Sequence, residues 1–213
     1  MPESRRHGEL CELLKQVLTH ALGSEHSVGK DNFVYFDASD PSRRLAPDGF
    51  VKLGVPQELF NSWKTWQMGT PELCVEILSP SDTKEKLTLK EKLERYRALG
   101  VPELVAFNPD EPVGKRLRAW DRIEDDLVER VVDNETTPCL ALRAHWVLAQ
   151  TKELGVALRL ADDAAGAHLW LTGEEDARQR EQHALRAEEH ARRREQDALR
   201  EVERLRALLA KGE

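Results

Sequence analysis

The sequence predicts a mixed α/β fold, a sheet flanked by helices, followed by a long charged C-terminal helix. Three observations predict it. The apolar runs Glu72-Leu-Cys-Val-Glu-Ile-Leu78 and Glu103-Leu-Val-Ala-Phe107 bracket a helical pattern, which makes a strand-helix-strand unit with two parallel strands. Ahead of it, Leu10, Leu13, Leu14, Val17, Leu18 and Ala21 recur at helical spacing. Beyond Thr172 the chain turns to charge and alanine with a seven-residue repeat.

In chain order, residues 9–22 read as a helix with one face on a core, and Gly23 stops it. Phe33-Val-Tyr-Phe36 and Gly49-Phe-Val-Lys-Leu53 read as strands on either side of the turn-rich Asp40-Pro-Ser-Arg-Arg44. Residues 54–71 hold Pro56, Gly69 and Pro71 and read as an irregular insertion, either a lid or a segment packed on the body by Trp63 and Trp66. Alternation along residues 72–78 puts Glu72, Cys74, Glu76 and Leu78 on one face and Leu73, Val75 and Ile77 on the other. Ser79-Pro-Ser-Asp82 ends that strand, with Ser79 and Ser81 read as caps rather than nucleophiles. A helix over 85–100 closes at Gly100, and Arg116 to Trp120, Leu127 to Val132 and Val156 to Leu160 read as further strands.

These elements make one domain over residues 1–171 and a separate helix over 172–213. Thr172-Gly-Glu-Glu175 has the form of a capping box. Ala177, Ala184, Ala191, Ala198 and Leu205 repeat every seven residues, with Glu181, Glu188, Glu195, Val202 and Leu209 at the alternate seam position. Both positions are apolar only near the C-terminus, the pattern of a weak coiled coil and hence of a homodimer. Pairs such as Glu174/Arg178 would equally support a solvated helix.

Composition excludes several classes. No apolar run is long enough to span a bilayer and the N-terminus lacks a signal-peptide core, so the expectation is a soluble cytoplasmic protein without a membrane partner. Cys11, Cys74 and Cys139 are odd in number and far apart, the pattern of buried thiols rather than of disulfides or a zinc motif. A net charge of -7 argues against nonspecific coating of nucleic acid, but not against a DNA site built from metal ions and a few cations.

Three charged residues stand where apolar ones belong. At about 100° per residue, Leu89, Leu93, Tyr96 and Leu99 share a helix face, and Lys92 falls inside it. Glu76 sits amid apolar neighbours in its strand, and Asp48 follows Pro47 ahead of the strand at 49–53. An ammonium on an apolar face must reach water, reach a carboxylate or lose its proton. Two carboxylates and a lysine converging in one core suggest a metal-dependent hydrolase. Asp48, Glu76 and the Ile77 carbonyl would give oxygen ligands to Mg²⁺, with Mn²⁺ as a substitute. Lys92 would orient water or neutralise transition-state charge. Against this stand plainer readings: Asp48 as a turn residue, Glu76 as a buried ion-pair member, and Lys92 as a side chain that snorkels to water.

Pro47-Asp48, Val75-Glu-Ile-Leu-Ser-Pro-Ser81, Lys92-Leu-Glu-Arg-Tyr96 and Gly100-Val101 together resemble the Uma-two family of restriction endonuclease-like proteins, within the PD-(D/E)XK nuclease superfamily. The resemblance covers roughly the N-terminal three quarters. It implies a restriction-endonuclease-like core and a metal-dependent DNA endonuclease. The superfamily's lysine usually stands two residues after the glutamate, where this chain has Leu78. In the Uma-two pattern a helix lysine four residues before a tyrosine replaces it, which matches Lys92 and Tyr96. The pattern also implies a polar residue from the first helix, matched by His7, with Glu9 and Glu12 as rivals. His7 beside Arg5 and Arg6 reads equally as a solvated residue of a frayed end. Where the family often has an aspartate four residues before the lysine, this chain has Thr88. The alternative function is a catalytically silent adaptor or oligomerisation protein that keeps the nuclease-like fold.

Overall fold

In the computed structural model, which describes residues 5–79 and 88–209, helix α1 spans Arg5–Leu22. Its stripe of Leu10, Cys11, Leu14, Val17 and Leu18 is buried, and each large apolar side chain so removed from water contributes ~1.5–3 kcal/mol. The helix starts a turn earlier than its apolar spacing implies. Arg5 pairs with Glu9 at 2.6 Å, while Arg6 donates to the Leu154 carbonyl at 3.0 Å and to Asp110 at 2.9 Å. These contacts hold the first turn, so His7 is buried at 3% exposure rather than solvated in a frayed end.

Strands β1 (Ser27–Gly29), β2 (Phe33–Tyr35), β3 (Arg44–Leu45), β4 (Gly49–Lys52) and β5 (Ser62–Lys64) follow, then a helical turn, α2 (Thr65–Met68), and strand β6 (Leu73–Ile77). Helix α3 (Leu89–Leu99) leads into β7 (Glu103–Phe107), β8 (Leu117–Ile123), β9 (Asp126–Arg130), β10 (Thr137–Cys139), β11 (Ala144–Thr151) and β12 (Gly155–Ala161). Helix α4 covers Gly173–Leu209. The main sheet runs β1-β4-β6-β7-β8-β9, and β3-β2-β5 and β10-β11-β12 form two smaller sheets. The β6 and β7 pair is parallel and its other neighbours antiparallel, so the strand-helix-strand unit at the centre of the main sheet is as the sequence predicts. Among the described residues no helix is long and apolar enough to cross a membrane.

Every residue of β6 and β7 is buried, because the sheet is covered on both faces. Leu73, Val75 and Ile77 point to a core shared with α1 and the β10-β11-β12 sheet. Cys74 and, from β7, Leu104 and Ala106 point to a second core formed with Tyr96 and Leu99 of α3, Phe50 and Trp63. The strand alternation read from residues 72–78 is therefore the division between two cores.

Several expectations need correction. The segment over 54–71 contains β5 and α2, and its tryptophans part company. Trp63 is wholly buried and donates to the Gly69 carbonyl at 2.8 Å, whereas Trp66 is 47% exposed. Strands β10 and β11 escape the sequence reading because their apolar residues are mixed with Pro138, His145, Gln150 and Thr151. Ser79 does not cap α3. Thr88 does, accepting from the Glu91 N–H at 3.3 Å while its own N–H donates to the Glu91 carboxylate at 2.7 Å. Ser81 lies outside the described residues. Gly100 ends α3 in the left-handed region (φ 82°), its N–H reaching the Tyr96 and Arg97 carbonyls.

One polar network ties the main sheet to the β10 segment. Glu103, 2% exposed, accepts from Arg130 at 3.1 Å and from the Ala141 N–H at 2.8 Å, and Arg130 also binds Asp121 and the Pro138 carbonyl. Burial pushes the Glu103 carboxyl above its usual range. Arg130→Met would strand that carboxylate, and removing one partner of such a pair costs about 3 kcal/mol or more. The expected result is a fall in Tm of about 6–12 °C by calorimetry, and an unchanged Tm would show that the network contributes nothing.

The chain divides into two compact units, the first ending at Thr172 and the second beginning at Gly173. The second is α4, with the Glu174/Arg178 pair formed at 2.5 Å and Asp176 also paired with Arg180. Leu185, Leu199 and Val202 are exposed along it. Of these Val202 belongs to the expected seam, while Leu185 and Leu199 stand one residue beyond Ala184 and Ala198, and the side chains of the seam residues Leu205 and Leu209 lie outside the described ones.

Candidate active site

The site is assembled at the end of β6. Pairing of β4 with β6 stops at Gly49 and Val75, so the next β6 amide on that side, Ile77 N–H, has no strand carbonyl to meet. A buried amide needs a partner, and the Asp48 carboxylate supplies it, with Oδ2 accepting from Ile77 N–H at 2.6 Å. Asp48 is 7% exposed, which is not the exposure of an ordinary turn residue. Its other oxygen, Oδ1, lies 3.2 Å from His7 Nε2.

One residue back along β6, Glu76 points to the α3 side. Lys92 and Tyr96 stand four apart on α3 and so share a face. The Lys92 ammonium donates to Glu76 Oε2 and the Tyr96 hydroxyl donates to Oε1. Tyr96 is wholly buried, Glu76 is 3% exposed, and 14% of the Lys92 side chain reaches solvent. The apolar-face lysine therefore resolves its conflict by reaching a carboxylate. Burial pushes the Glu76 carboxyl up to about 7, the Lys92 ammonium opposing the rise and the Asp48 charge adding to it. Burial also raises the Tyr96 hydroxyl well above its ordinary value, with the Glu76 charge adding to it, which keeps Tyr96 a donor.

The structure thus brings His7 to Asp48 and Lys92 to Glu76, and the two pairs are joined through the Ile77 N–H, which follows Glu76 in the chain and donates to Asp48. Glu9 and Glu12 are engaged elsewhere, Glu9 by Arg5 and Glu12 by Lys30 at 3.1 Å. Sequence reasoning left Cys11 out. Its Sγ is 3.4 Å from His7 Nε2, and the donor atoms of His7, Cys11 and Asp48 all lie within 4.8 Å of one another. The signal was present as the four-residue spacing of His7 and Cys11 on α1, which puts both on one face.

Beside Leu78 and Leu89, a groove of about 500 Å³ continues along the ends of β7 and β8, lined by Lys115, Arg116, Arg118 and Arg130 among others. Arg118 is held by Glu129 in a two-pronged pair at 2.7 and 2.8 Å. Lys115 is exposed at the rim.

No curated protein matches the chain. Among solved structures, a crystal structure of "a putative nuclease belonging to DUF820 from Anabaena variabilis ATCC 29413" is similar at a TM-score of 0.46 and 15% sequence identity, over 81% of this chain and 79% of that one. The family model described as "Uma2: Putative restriction endonuclease" matches residues 1–151, which hold Asp48, Glu76, Lys92 and His7. Since that match spans well over half the chain, the protein belongs to the Uma2 family.

Proposed function

We propose that the protein is a divalent-metal-dependent DNA endonuclease that hydrolyses phosphodiester bonds, with residues 1–171 as its nuclease domain. The observation that carries this reading is the pair of buried carboxylates, Asp48 and Glu76, close enough for the Asp48 charge to help raise the Glu76 carboxyl, with Lys92 as the ammonium on Glu76 among the described residues. Two adjacent buried negative charges are costly unless a cation compensates both. Lys92 supplies one positive charge. The donor set fits a Mg²⁺ or Mn²⁺ ion for the remainder, since these ions favour carboxylate and carbonyl oxygens together with retained water. Asp48, Glu76 and the Ile77 carbonyl are the proposed ligands.

Such an ion, when bound, polarises a phosphoryl oxygen and lowers the pKa of a bound water. The residues of the chain do the rest. Lys92 orients the attacking water through Nζ and offsets negative charge as the phosphorane-like state forms. Tyr96 holds Oε1 of Glu76, so that carboxylate keeps one orientation, and the Ile77 N–H does the same for Asp48. His7 assists from the Oδ1 side of Asp48. Lys115 at the groove rim is the proposed contact for a flanking phosphate, a positioning contact without sequence information, since Arg116, Arg118 and Arg130 are engaged by carboxylates.

The deciding assay incubates supercoiled plasmid and single-stranded DNA with Mg²⁺, Mn²⁺ or EDTA. Cutting with either ion and none in EDTA is expected. Inertness under every condition, together with no Mg²⁺ or Mn²⁺ binding by calorimetry, would overturn the reading in favour of a silent nuclease-like adaptor.

We also propose that α4 pairs with a second copy of itself. Exposed Leu185, Leu199 and Val202 give it apolar surface that a lone solvated helix does not need. Light scattering at micromolar concentration is expected to give a dimer for the full chain and a monomer for a chain ending at Thr172. A monomeric full chain would rule the pairing out.

A further inference from the structure

His7, Cys11 and Asp48 form a three-donor cluster that shares Asp48 with the carboxylate pair but adds imidazole nitrogen and sulfur to it. All three are buried, at 3%, 1% and 7% exposure. His7 Nε2 faces two neighbours at once, Asp48 Oδ1 at 3.2 Å and Cys11 Sγ at 3.4 Å. A protonated Nε2 donates to the carboxylate with the sulfur as a weak second acceptor, and an unprotonated Nε2 can use its lone pair on a cation. A metal ion at the centre would engage all three atoms at once.

The spacing suits that ion. A tetrahedral centre with metal–nitrogen and metal–oxygen bonds of ~2.0 Å and a metal–sulfur bond of ~2.3 Å has edges of ~3.3 Å between nitrogen and oxygen and ~3.5 Å between nitrogen and sulfur. The two observed edges match these, and the third, from Sγ to a carboxylate oxygen of Asp48, is no more than 4.8 Å, which rotation of the thiol would shorten. The helix fixes two of the donors, because His7 and Cys11 stand four apart on α1 and project from the same face. The Ile77 N–H fixes the third by holding Asp48 Oδ2.

We infer that His7 Nε2, Cys11 Sγ and Asp48 Oδ1 form a transition-metal site selective for Zn²⁺ or Co²⁺. Sulfur and imidazole nitrogen favour these ions over Mg²⁺, which takes oxygen. On binding, the Cys11 thiol loses its proton to solvent. The dipositive ion then meets one thiolate and one carboxylate, which leaves the buried centre neutral. Three protein ligands leave a fourth position for water or another ligand. The inference does not rest on the nuclease reading, because a chain that cuts no DNA would hold the ion equally well.

The test is titration of the full chain with Co²⁺, followed by absorbance. Thiolate-to-cobalt charge transfer in the near ultraviolet and intense visible bands of four-coordinate cobalt are expected, both bleached by one equivalent of Zn²⁺. Cys11→Ser should lose the charge-transfer band and bind Co²⁺ at least tenfold more weakly, and His7→Ala should weaken binding similarly. If Cys11→Ser fails to fold, a Cys74→Ala/Cys139→Ala variant with Cys11 as its sole cysteine should retain the band. A wild-type spectrum without charge transfer, a band that survives in folded Cys11→Ser, or loss of the band from the sole-cysteine variant would overturn the site.

Discussion

Glu76→Gln is expected to reduce metal-dependent DNA cleavage by at least about 10³-fold while the protein remains folded, corresponding to about 4 kcal/mol of lost transition-state stabilisation. Gln keeps an oxygen that can accept from the Tyr96 hydroxyl, but it removes the charge that would share a cation with Asp48. The fold should tolerate the change. With the Glu76 carboxyl at about 7, its neutral form is already well populated near neutral pH, and Gln imitates that form. Lys92, released from its partner, can carry its ammonium to solvent along its stem. The stability of the two proteins should diverge with pH in a defined direction. The carboxyl is raised from its ordinary 4.5, so between 4.5 and about 7 the folded protein holds a proton that the unfolded chain has released. Wild-type stability therefore falls as pH rises through that window, and the Gln variant lacks the fall. Parallel Tm profiles of the two metal-free proteins across pH 4.5–8 would contradict the burial of Glu76, and full cleavage by Glu76→Gln would remove it from the site.

Lys92→Ala is expected to lower cleavage by about 10²–10³-fold, the range for loss of one preorganised charge in an active site. A second effect separates this role from mere support of the fold. Lys92 holds the Glu76 carboxyl down against burial, so its removal lets that carboxyl rise further. A proton then competes more strongly with the cation for the same oxygens. Mg²⁺ or Mn²⁺ affinity, followed by calorimetry, should rise with pH through about 7 in the wild type, and the midpoint should move to higher pH in Lys92→Ala. Lys92→Arg should restore part of the low-pH affinity but little of the cleavage, because a planar guanidinium does not reproduce an ammonium's geometry. An unchanged midpoint would mean that the ion does not use Glu76 or that Lys92 does not govern its charge.

Much of this was legible in the sequence because it depends on short-range periodicity. Alternation along residues 72–78 assigns Leu73, Val75 and Ile77 to one face and Glu76 to the other. The spacing of Leu89, Leu93, Tyr96 and Leu99 puts Lys92 on the buried face of α3, and so marks it as a partner for a buried carboxylate, whereas the hydrogen bond of Tyr96 to that carboxylate came only from the structure. The seven-residue repeat beyond Thr172 marks α4. Family resemblance then added a function that periodicity alone does not carry.

The tertiary structure decided the rest. His7 and Asp48 are 41 residues apart, and Asp48 and Ile77 are 29 apart, so no local pattern records their meeting. Arg6 closing on Leu154 and Asp110 is what extends α1 over His7. The first unpaired amide of β6 is what turns Asp48 inward. Cys11, read from sequence as a buried thiol, shares a helix face with His7 but is brought near Asp48 only when α1 lies on the sheet. The sequence by itself determined which side chains are anomalous in their own segment, since a charge on an apolar face conflicts with its immediate neighbours. Which of those charges answer one another was decided by packing, because a buried polar atom takes its partner from whatever the fold brings within hydrogen-bonding distance.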